Sequence, residues 1–453
     1  MNESIDNLKS RVEDLCKYGS DYSDIYIQSS CGHSIHYENN QIDEISSTTS
    51  DGTGVRTILN GKTYYSHVPG NDVISINRAI NEVTSLSFNR KIPIFASKSE
   101  PFSYSNISRP NFDFCHEINN SIRKQSSLVK QLSMRFSVSK KQLTMVLPNG
   151  ILAYDTRFYS SFSAQVIVEK NGIIQTGYER YCLSKPHNEF WNNMTPFKIC
   201  QKALERALLM LSAQRCPAGK MNVLLSGEAG GTIVHEACGH GLEADIIKKD
   251  FSVYRNNISK KVANENITMI DNPTIHGLYG SYDYDDEGMK SQKNILIENG
   301  ILKSYLSDYI SSKVLNVPQT GNGRRESYRS IPIPRMSNTY LLPGTSDIDT
   351  MLQKTDNGLY VKKMGGGEVN PTSGDFVFYV SEGYLIKKGK VLSPVKGATI
   401  IGNGPDTLNN IIDLGNTMTM DPGICGKSGQ SVPVTDGQPS MLISGLTIGG
   451  NDE

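Results

Sequence analysis

Three residues of the kinds that bind or serve a metal ion lie within the six-residue stretch "HEACGH": His235, Glu236 and His240. The familiar zinc-hydrolase pattern is H-E-x-x-H, in which the two histidines lie four positions apart on one face of a helix. Here they are five apart, so on a regular α-helix, with about 100° per residue, they would point about 140° apart. Because Gly239 permits local unwinding or a single π-turn, we predict a distorted helix that brings both imidazoles to one metal ion. Glu236 is then free to take a proton from water.

A catalytic zinc ion usually has three protein ligands, so a third ligand must come from elsewhere in the chain. We favour Cys425, because the glycines around it let the backbone approach closely and Lys427 would favour its thiolate. Glu243 is a weaker candidate, better suited to accepting a hydrogen bond from a histidine and fixing its tautomer. The remaining candidates for the third ligand are Cys238, Asp245 and His276.

The composition excludes several classes of protein. The 453 residues include 46 basic and 46 acidic ones, so no charge excess points to nucleic acid or to an acidic membrane surface. The eight cysteines are scattered without a C-x-x-C pair, as in a reducing compartment. The amino terminus lacks the apolar core of a secretory signal, and no run of about 18 apolar residues occurs. We therefore expect a cytoplasmic protein without a membrane span.

The elements that must position the motif predict an α+β fold, with antiparallel sheets and packed helices. Apolar residues at helical spacing over 2–18, followed by alternating segments, predict a first α+β unit at residues 1–95. A second α+β unit is expected at 110–216, where strands joined by "PNG" and "KNG" turns lead to a helix at about 196–213. The motif belongs to a strand-rich C-terminal domain predicted at 217–453.

Several long motifs occur in the order typical of one family. They are "HEACGHGLEAD", "GSYDYDDEGMKSQKNILIENGILKSYLSD", "GNGRRES", "PIPRMSNTYLLPG", "GGGEVNPTSGDFVFYVSEGYLIKKGK" and "CGKSGQSVPVTDGQPSMLISGLTIGG". Through them the sequence resembles the TldD/PmbA family, and specifically its TldD-type zinc metallopeptidase branch. The resemblance covers nearly the whole chain and is strongest from Gly231 onward.

This resemblance implies that His235, His240 and Cys425 bind zinc and that Glu236 is the catalytic base. The implied reaction is hydrolysis of peptide bonds in small or unfolded peptides. The resemblance also implies a dimer, either a heterodimer with a PmbA/TldE-type subunit or a homodimer. Two other functions remain open: a noncatalytic scaffold or regulatory subunit with a structural metal, and a metal-dependent amidase that acts on nonpeptide amides.

Two further segments each have two interpretations. Arg324 and Arg325 in "GNGRRES" are able to hold a substrate carboxylate or to form structural salt bridges. The segment "GGGEVNP" at 365–371 either pairs with the backbone of a peptide or forms a tight turn.

Overall fold

The computed structural model of the chain describes residues 2–17, 19–88, 107, 113–191 and 194–450. It has an α+β fold with extensive antiparallel sheets and packed helices, which confirms the predicted class. Within the described residues, no helix is long and apolar enough to cross a membrane.

Six long antiparallel strands form the N-terminal sheet, in the order β3-β2-β1-β4-β5-β6. The centre of this sheet is the pairing of β1 with β4, which joins strands from the two predicted N-terminal units. One continuous sheet therefore spans both units. Its strands are β1 (Tyr22–Glu38), β2 (Gln41–Leu59), β3 (Lys62–Pro69), β4 (Val129–Val146), β5 (Leu152–Lys170) and β6 (Ile173–Leu183).

The two faces of this sheet have different neighbours, because successive strand residues point to opposite sides. Ile25 and Ile27 of β1 join a core with helices on one face. Tyr26, between them, packs on the other face against Tyr328 of the C-terminal domain. The helices of this half are α1 (Asn2–Lys17), α2 (Val73–Phe88), α3 (Phe114–Gln125), α4 (His187–Phe190) and α5 (Pro196–Leu211).

The C-terminal domain is built on a twelve-stranded mixed sheet. Its main path runs β11-β10-β9-β14-β20-β8-β15-β16-β17-β7, while β18 bridges β16 and β20, and β19 pairs with β20. The pairs β14/β20, β15/β8 and β17/β7 are parallel, whereas the other pairs in this sheet are antiparallel. The strands are β7 (Gln214–Arg215), β8 (Gly219–Leu225), β9 (Met269–Asp271), β10 (Asn294–Glu298), β11 (Ile301–Leu302), β14 (Asn338–Leu341), β15 (Gly358–Val369), β16 (Asp375–Lys387), β17 (Lys390–Lys396), β18 (Thr399–Asn403), β19 (Ile411–Lys427) and β20 (Gln430–Gly449).

Short elements complete the C-terminal domain around a large apolar core that also holds the motif. A separate two-stranded ribbon carries Arg324. These elements are β12 (Gly323–Arg324), β13 (Ile333–Pro334), α6 (Ala244–Lys248), α7 (Tyr309–Leu315), α8 (Ile348–Thr355) and α9 (Gly404–Asn409). A π-helix at Ile233–Gly239 follows β8 and contains the first histidine and the glutamate of the motif.

Candidate metal centre

The π-helix brings the two histidines of the motif together. The backbone N–H of His240 donates to the carbonyl of His235, the five-residue closure that defines a π-turn. The ring centroids of His235 and His240 are consequently only 5.0 Å apart. The distortion predicted from their spacing is confirmed. At the start of this segment, a Cβ on Gly231 would lie 2.6 Å from the Cβ of Asp436 on β20, so the close approach requires glycine.

Cys425 completes a cluster with the two histidines. It lies near the end of β19, and its Sγ is 3.4 Å from Nε2 of His240. One potential ligand atom from each of His235, His240 and Cys425 lies within 4.8 Å of the other two, and all three residues are buried. In the described part of the chain, no other group of three such residues was found.

The alternative third ligands lie elsewhere. Cys238 is buried against Tyr254, and burial raises the pKa of its thiol to about 12. Asp245 accepts a hydrogen bond from Lys427 at 2.6 Å. His276 lines a separate cavity between the N-terminal sheet and the C-terminal domain. None of these three is part of the His–His–Cys cluster.

A carboxylate orients each of the two histidines. Nδ1 of His235 is 2.6 Å from Oδ1 of Asp436, and Nδ1 of His240 is 2.8 Å from Oε2 of Glu243. A carboxylate at Nδ1 leaves Nε2 as the atom that each ring offers to a metal ion. The contact expected for Glu243 is therefore present. Asp436 was missed, since nothing in its local sequence marks it as a partner of a residue 201 positions away.

The charges of the cluster suit a thiolate. Burial would raise the pKa of Cys425, but the two neighbouring imidazoles lower it to about 5. Burial by itself would lower the pKa of the His240 imidazole, but Glu243 and Cys425 raise it to about 9. Lys427 does not serve the thiolate as we expected from sequence. Its Nζ instead lies 2.9 Å from Glu243 and 2.6 Å from Asp245 and donates to both carboxylates.

Glu236 faces a cavity of about 370 Å³ that begins at the cluster. Its carboxylate is 3.6 Å from Nε2 of His240, and its side chain remains 35% exposed. His235 also lines this cavity, whose other walls come from β6, β15, β19 and β20. Asp436 lines the same cavity, but its side chain is only 16% exposed, so Glu236 is the more accessible of these two carboxylates beside the cluster.

The structure bears on both segments that had two interpretations. Arg324 and Arg325 are fully buried and donate to backbone carbonyl groups, including those of Met336 and Asp286, so their contacts are structural. Residues 365–367 belong to β15, so the tight-turn interpretation is wrong for these glycines. The parallel pairing of β15 with β8 covers only 358–361, which leaves 364–367 with β16 as its strand neighbour among the described strands.

Comparison with known proteins gives a consistent result over the whole chain. Residues 23–87, 101–211 and 218–450 match the PmbA/TldA metallopeptidase domain 1, central domain and C-terminal domain, respectively. A "Metalloprotease TldD homolog" of Buchnera aphidicola is 36% identical, with 97% of this chain and 95% of that protein covered. A "Zinc metalloprotease TldD homolog" of Saccharolobus solfataricus is 34% identical over 54% of this chain and 55% of its own length. The crystal structure of TldE from Thermococcus kodakarensis has the same fold, with a TM-score of 0.75, 17% identity, and coverage of 98% of this chain and 99% of its own.

Proposed function

Because the chain belongs to the PmbA/TldD metallopeptidase family, we propose that it is a zinc-dependent peptidase. His235, His240 and Cys425 bind the metal ion, and Glu236 transfers the protons. The observation that carries this proposal is the convergence of three buried donor atoms at the end of a cavity that Glu236 lines.

The donor set fits zinc. Two imidazole nitrogens and a thiolate are ligands that zinc prefers, and the lowered pKa of Cys425 means that its proton is already lost at neutral pH. A structural zinc site is usually closed by four protein ligands, whereas this cluster has three and borders a cavity. The open side favours the catalytic interpretation over a scaffold with a structural metal.

Peptide hydrolysis needs a group that moves a proton from water to the leaving amine. A bound zinc ion supplies Lewis-acid chemistry, since it polarises a carbonyl group and acidifies water at neutral pH. The carboxylate of Glu236 accepts a proton as the water oxygen attacks the carbonyl carbon. It then donates that proton to the amine nitrogen as the C–N bond breaks. Its position next to His240, with solvent access through the cavity, suits this role.

The shape of the cavity favours an extended peptide as substrate. The backbone at 364–367 runs along one wall, and on the side away from β16 none of the described strands pairs with it. A Cβ at Gly366 would meet nothing within 4 Å. An unfolded peptide is able to approach such a strand and form backbone hydrogen bonds with it, which a folded domain is not. We also propose a dimer, either with a PmbA/TldE-type subunit, as the likeness to a TldE structure suggests, or with a second copy.

The test measures zinc content and cleavage of an unstructured peptide by the purified protein, with and without a PmbA/TldE-type subunit. We expect Glu236→Gln to keep zinc and lose at least about a hundredfold in cleavage rate, the usual contribution of a general base. Cys425→Ala should lose both zinc and cleavage. Exposed Glu265, outside the cavity, provides the control variant Glu265→Gln, which should match the wild type.

Three results would contradict the proposal. Full cleavage by Glu236→Gln would make the motif structural and favour the scaffold. Zinc retained in Cys425→Ala and lost in Cys238→Ala would move the third ligand to Cys238. Cleavage of small nonpeptide amides but of no peptide in a panel would favour the amidase.

A further inference from the structure

Two cationic side chains line the cavity that His235 and Glu236 border, which we call the metal cavity. Arg180 comes from β6 of the N-terminal sheet, and Lys363 comes from β15 of the C-terminal domain. Both contact Asp421 on β19: Nζ of Lys363 is 3.0 Å from Oδ1, and Nη2 of Arg180 is 3.3 Å from Oδ2. Since two cations share one carboxylate, this trio by itself carries a net positive charge. The other acidic side chains that line the cavity have partners outside the trio: Glu179 contacts Arg206, Asp436 contacts His235, and Glu236 lies beside His240.

The trio lies directly beside the metal cluster. Asp421 is the cross-strand partner of Asp436, the residue that holds His235. Residues directly opposite each other on antiparallel strands have Cβ atoms about 5 Å apart. Gly423 lies between the two groups, because a Cβ there would lie 3.9 Å from Nη2 of Arg180 and 3.7 Å from Oδ2 of Asp436. The guanidinium group of Arg180 therefore lies near the carboxylate that orients His235.

Both cations keep hydrogen-bonding capacity for a ligand. An arginine has five N–H donors and a lysine three, yet Asp421 is the hydrogen-bond partner of each within the described part of the chain. Their side chains remain 36% and 21% exposed, and both line a second, neighbouring cavity as well as the one beside the cluster. A guanidinium group is well matched to a second carboxylate, which it binds through parallel N–H donors.

Arg206 is a useful comparison, because it is an arginine whose contacts in this fold are structural. It also links the N-terminal half to the C-terminal domain, through Glu382 at 3.1 Å. It additionally donates to Glu179 and to the carbonyl of Tyr178, and its side chain is only 12% exposed. It does not line the metal cavity. Arg180 differs from it in exposure, in unused donors and in position.

We propose that Arg180 and Lys363 form a carboxylate-binding subsite, which selects peptides that carry a carboxylate close to the scissile bond. The proposal rests on the proposed peptidase function and names the substrate class of that site. The carboxylate comes either from the C-terminus of the peptide or from an acidic side chain. In both cases it joins Asp421 between the two cations and offsets the excess positive charge.

The experiment compares three versions of one short unstructured peptide. The first has a free C-terminal carboxylate and no acidic side chain, and the second is its C-terminal amide. The third is a set of amidated peptides, each with a single aspartate at a different position. Wild type, Arg180→Gln, Lys363→Gln and the control Arg206→Gln are assayed for kcat/KM on each peptide. Affinity is measured separately by fluorescence anisotropy on zinc-loaded Glu236→Gln, alone and combined with each of the other substitutions.

We expect the wild type to prefer a carboxylate peptide over the neutral amide by about tenfold, the value of one charge-assisted hydrogen bond. Arg180→Gln should abolish that preference, because it lowers kcat/KM for the carboxylate peptide about tenfold more than for the neutral amide, and Arg180→Lys should restore part of it. Preference for the free acid identifies the C-terminus, and preference for the aspartate peptide identifies a side chain. Arg206→Gln should keep the preference of the wild type.

The proposal is overturned if the wild type treats all three peptides alike, or if Arg180→Gln and Arg206→Gln lower kcat/KM for every peptide by the same factor. Failure of the proposed function is distinguishable from this result. A wild type that cleaves no peptide would refute the peptidase, while the anisotropy measurements still show whether a carboxylate strengthens binding through Arg180 and Lys363.

Discussion

The carboxylate of Asp436, which contacts Nδ1 of His235, offers a quantitative test of the metal centre. Asp436 is a partly buried carboxylate that lies 2.6 Å from Nδ1 of a histidine whose side chain is only 3% exposed. Asp436→Asn keeps the size and one acceptor oxygen but removes the negative charge. The ring nitrogen offered to zinc becomes less basic, and the ring is less firmly held.

Loss of such a partner typically costs about ten- to a hundredfold in metal affinity. We expect the upper part of this range, because the contact is short, the histidine is buried, and Asp436 makes the largest favourable contribution to its raised pKa. Zinc affinity is measured by competition with a chromophoric chelator, and stoichiometry by elemental analysis. Thermal unfolding of the metal-free protein shows whether the variant still folds.

A matched control separates the specific contact from a general loss of negative charge. Asp421→Asn removes a carboxylate directly opposite on the neighbouring strand, but its partners are Arg180 and Lys363 rather than a histidine. It should leave zinc affinity within about twofold of the wild type, since an indirect charge effect in a solvated cavity is small. If Asp436→Asn binds zinc like the wild type, or if both variants lose affinity equally, the assignment of Asp436 as the partner of a metal ligand is refuted.

Two further predictions concern the packing that supports the site. Gly231→Ala should destabilise the fold by about 1–3 kcal/mol, as overpacking does, and weaken zinc binding, because the new methyl group meets the β20 backbone; Gly366→Ala, which meets nothing, is its control. Unfolding in urea and chelator competition test both. Asp286→Asn should cost about 1–3 kcal/mol near neutral pH, because it removes one charge that pairs with buried Arg157 at 3.0 Å, while Asp155 at 2.8 Å still pairs with this arginine. Burial raises the pKa of Asp286, but Arg157 and Lys141 hold it below its ordinary value. The stability from this carboxylate is therefore present above about pH 4 and lost as the pH falls through the lower folded-state pKa, so the two urea curves should converge in acid. A constant difference down to low pH would contradict this account.

The local part of the site was predictable from the sequence. The five-residue spacing of His235 and His240 is incompatible with a shared ligand on a regular helix, and the observed π-helix resolves that conflict. Residues that act from a distance were not predictable. Lys427 follows Cys425 closely in sequence, yet its partners Glu243 and Asp245 are decided by how β19 lies over the motif.

The elements of the fold were likewise more predictable than their arrangement. Apolar spacing indicated helices at 2–18 and 196–213, and the structure has Asn2–Lys17 and Pro196–Leu211. The order of the strands depends on contacts between distant segments. Periodicity gives no indication that β1 pairs with β4, or that β14 runs parallel to β20 within a sheet expected to be antiparallel. Such pairings are decided by which buried faces meet in three dimensions.

The β19–β20 hairpin connects metal binding to substrate selection. Asp421, Gly423 and Cys425 alternate along β19 and therefore share one face, opposite Asp436, Val434 and Val432 of β20, respectively. This register places Asp421 and Asp436 side by side, an arrangement of like charges that normally destabilises a sheet. Each carboxylate has a different cationic or proton-donating partner, Arg180 with Lys363 for the first and His235 for the second. The two neighbouring aspartates are thus explained if Asp436 supports the metal ligand His235 and Asp421 positions Arg180 and Lys363 for the substrate. A point substitution at either aspartate should impair one function alone, whereas a change in the register of the hairpin should impair both.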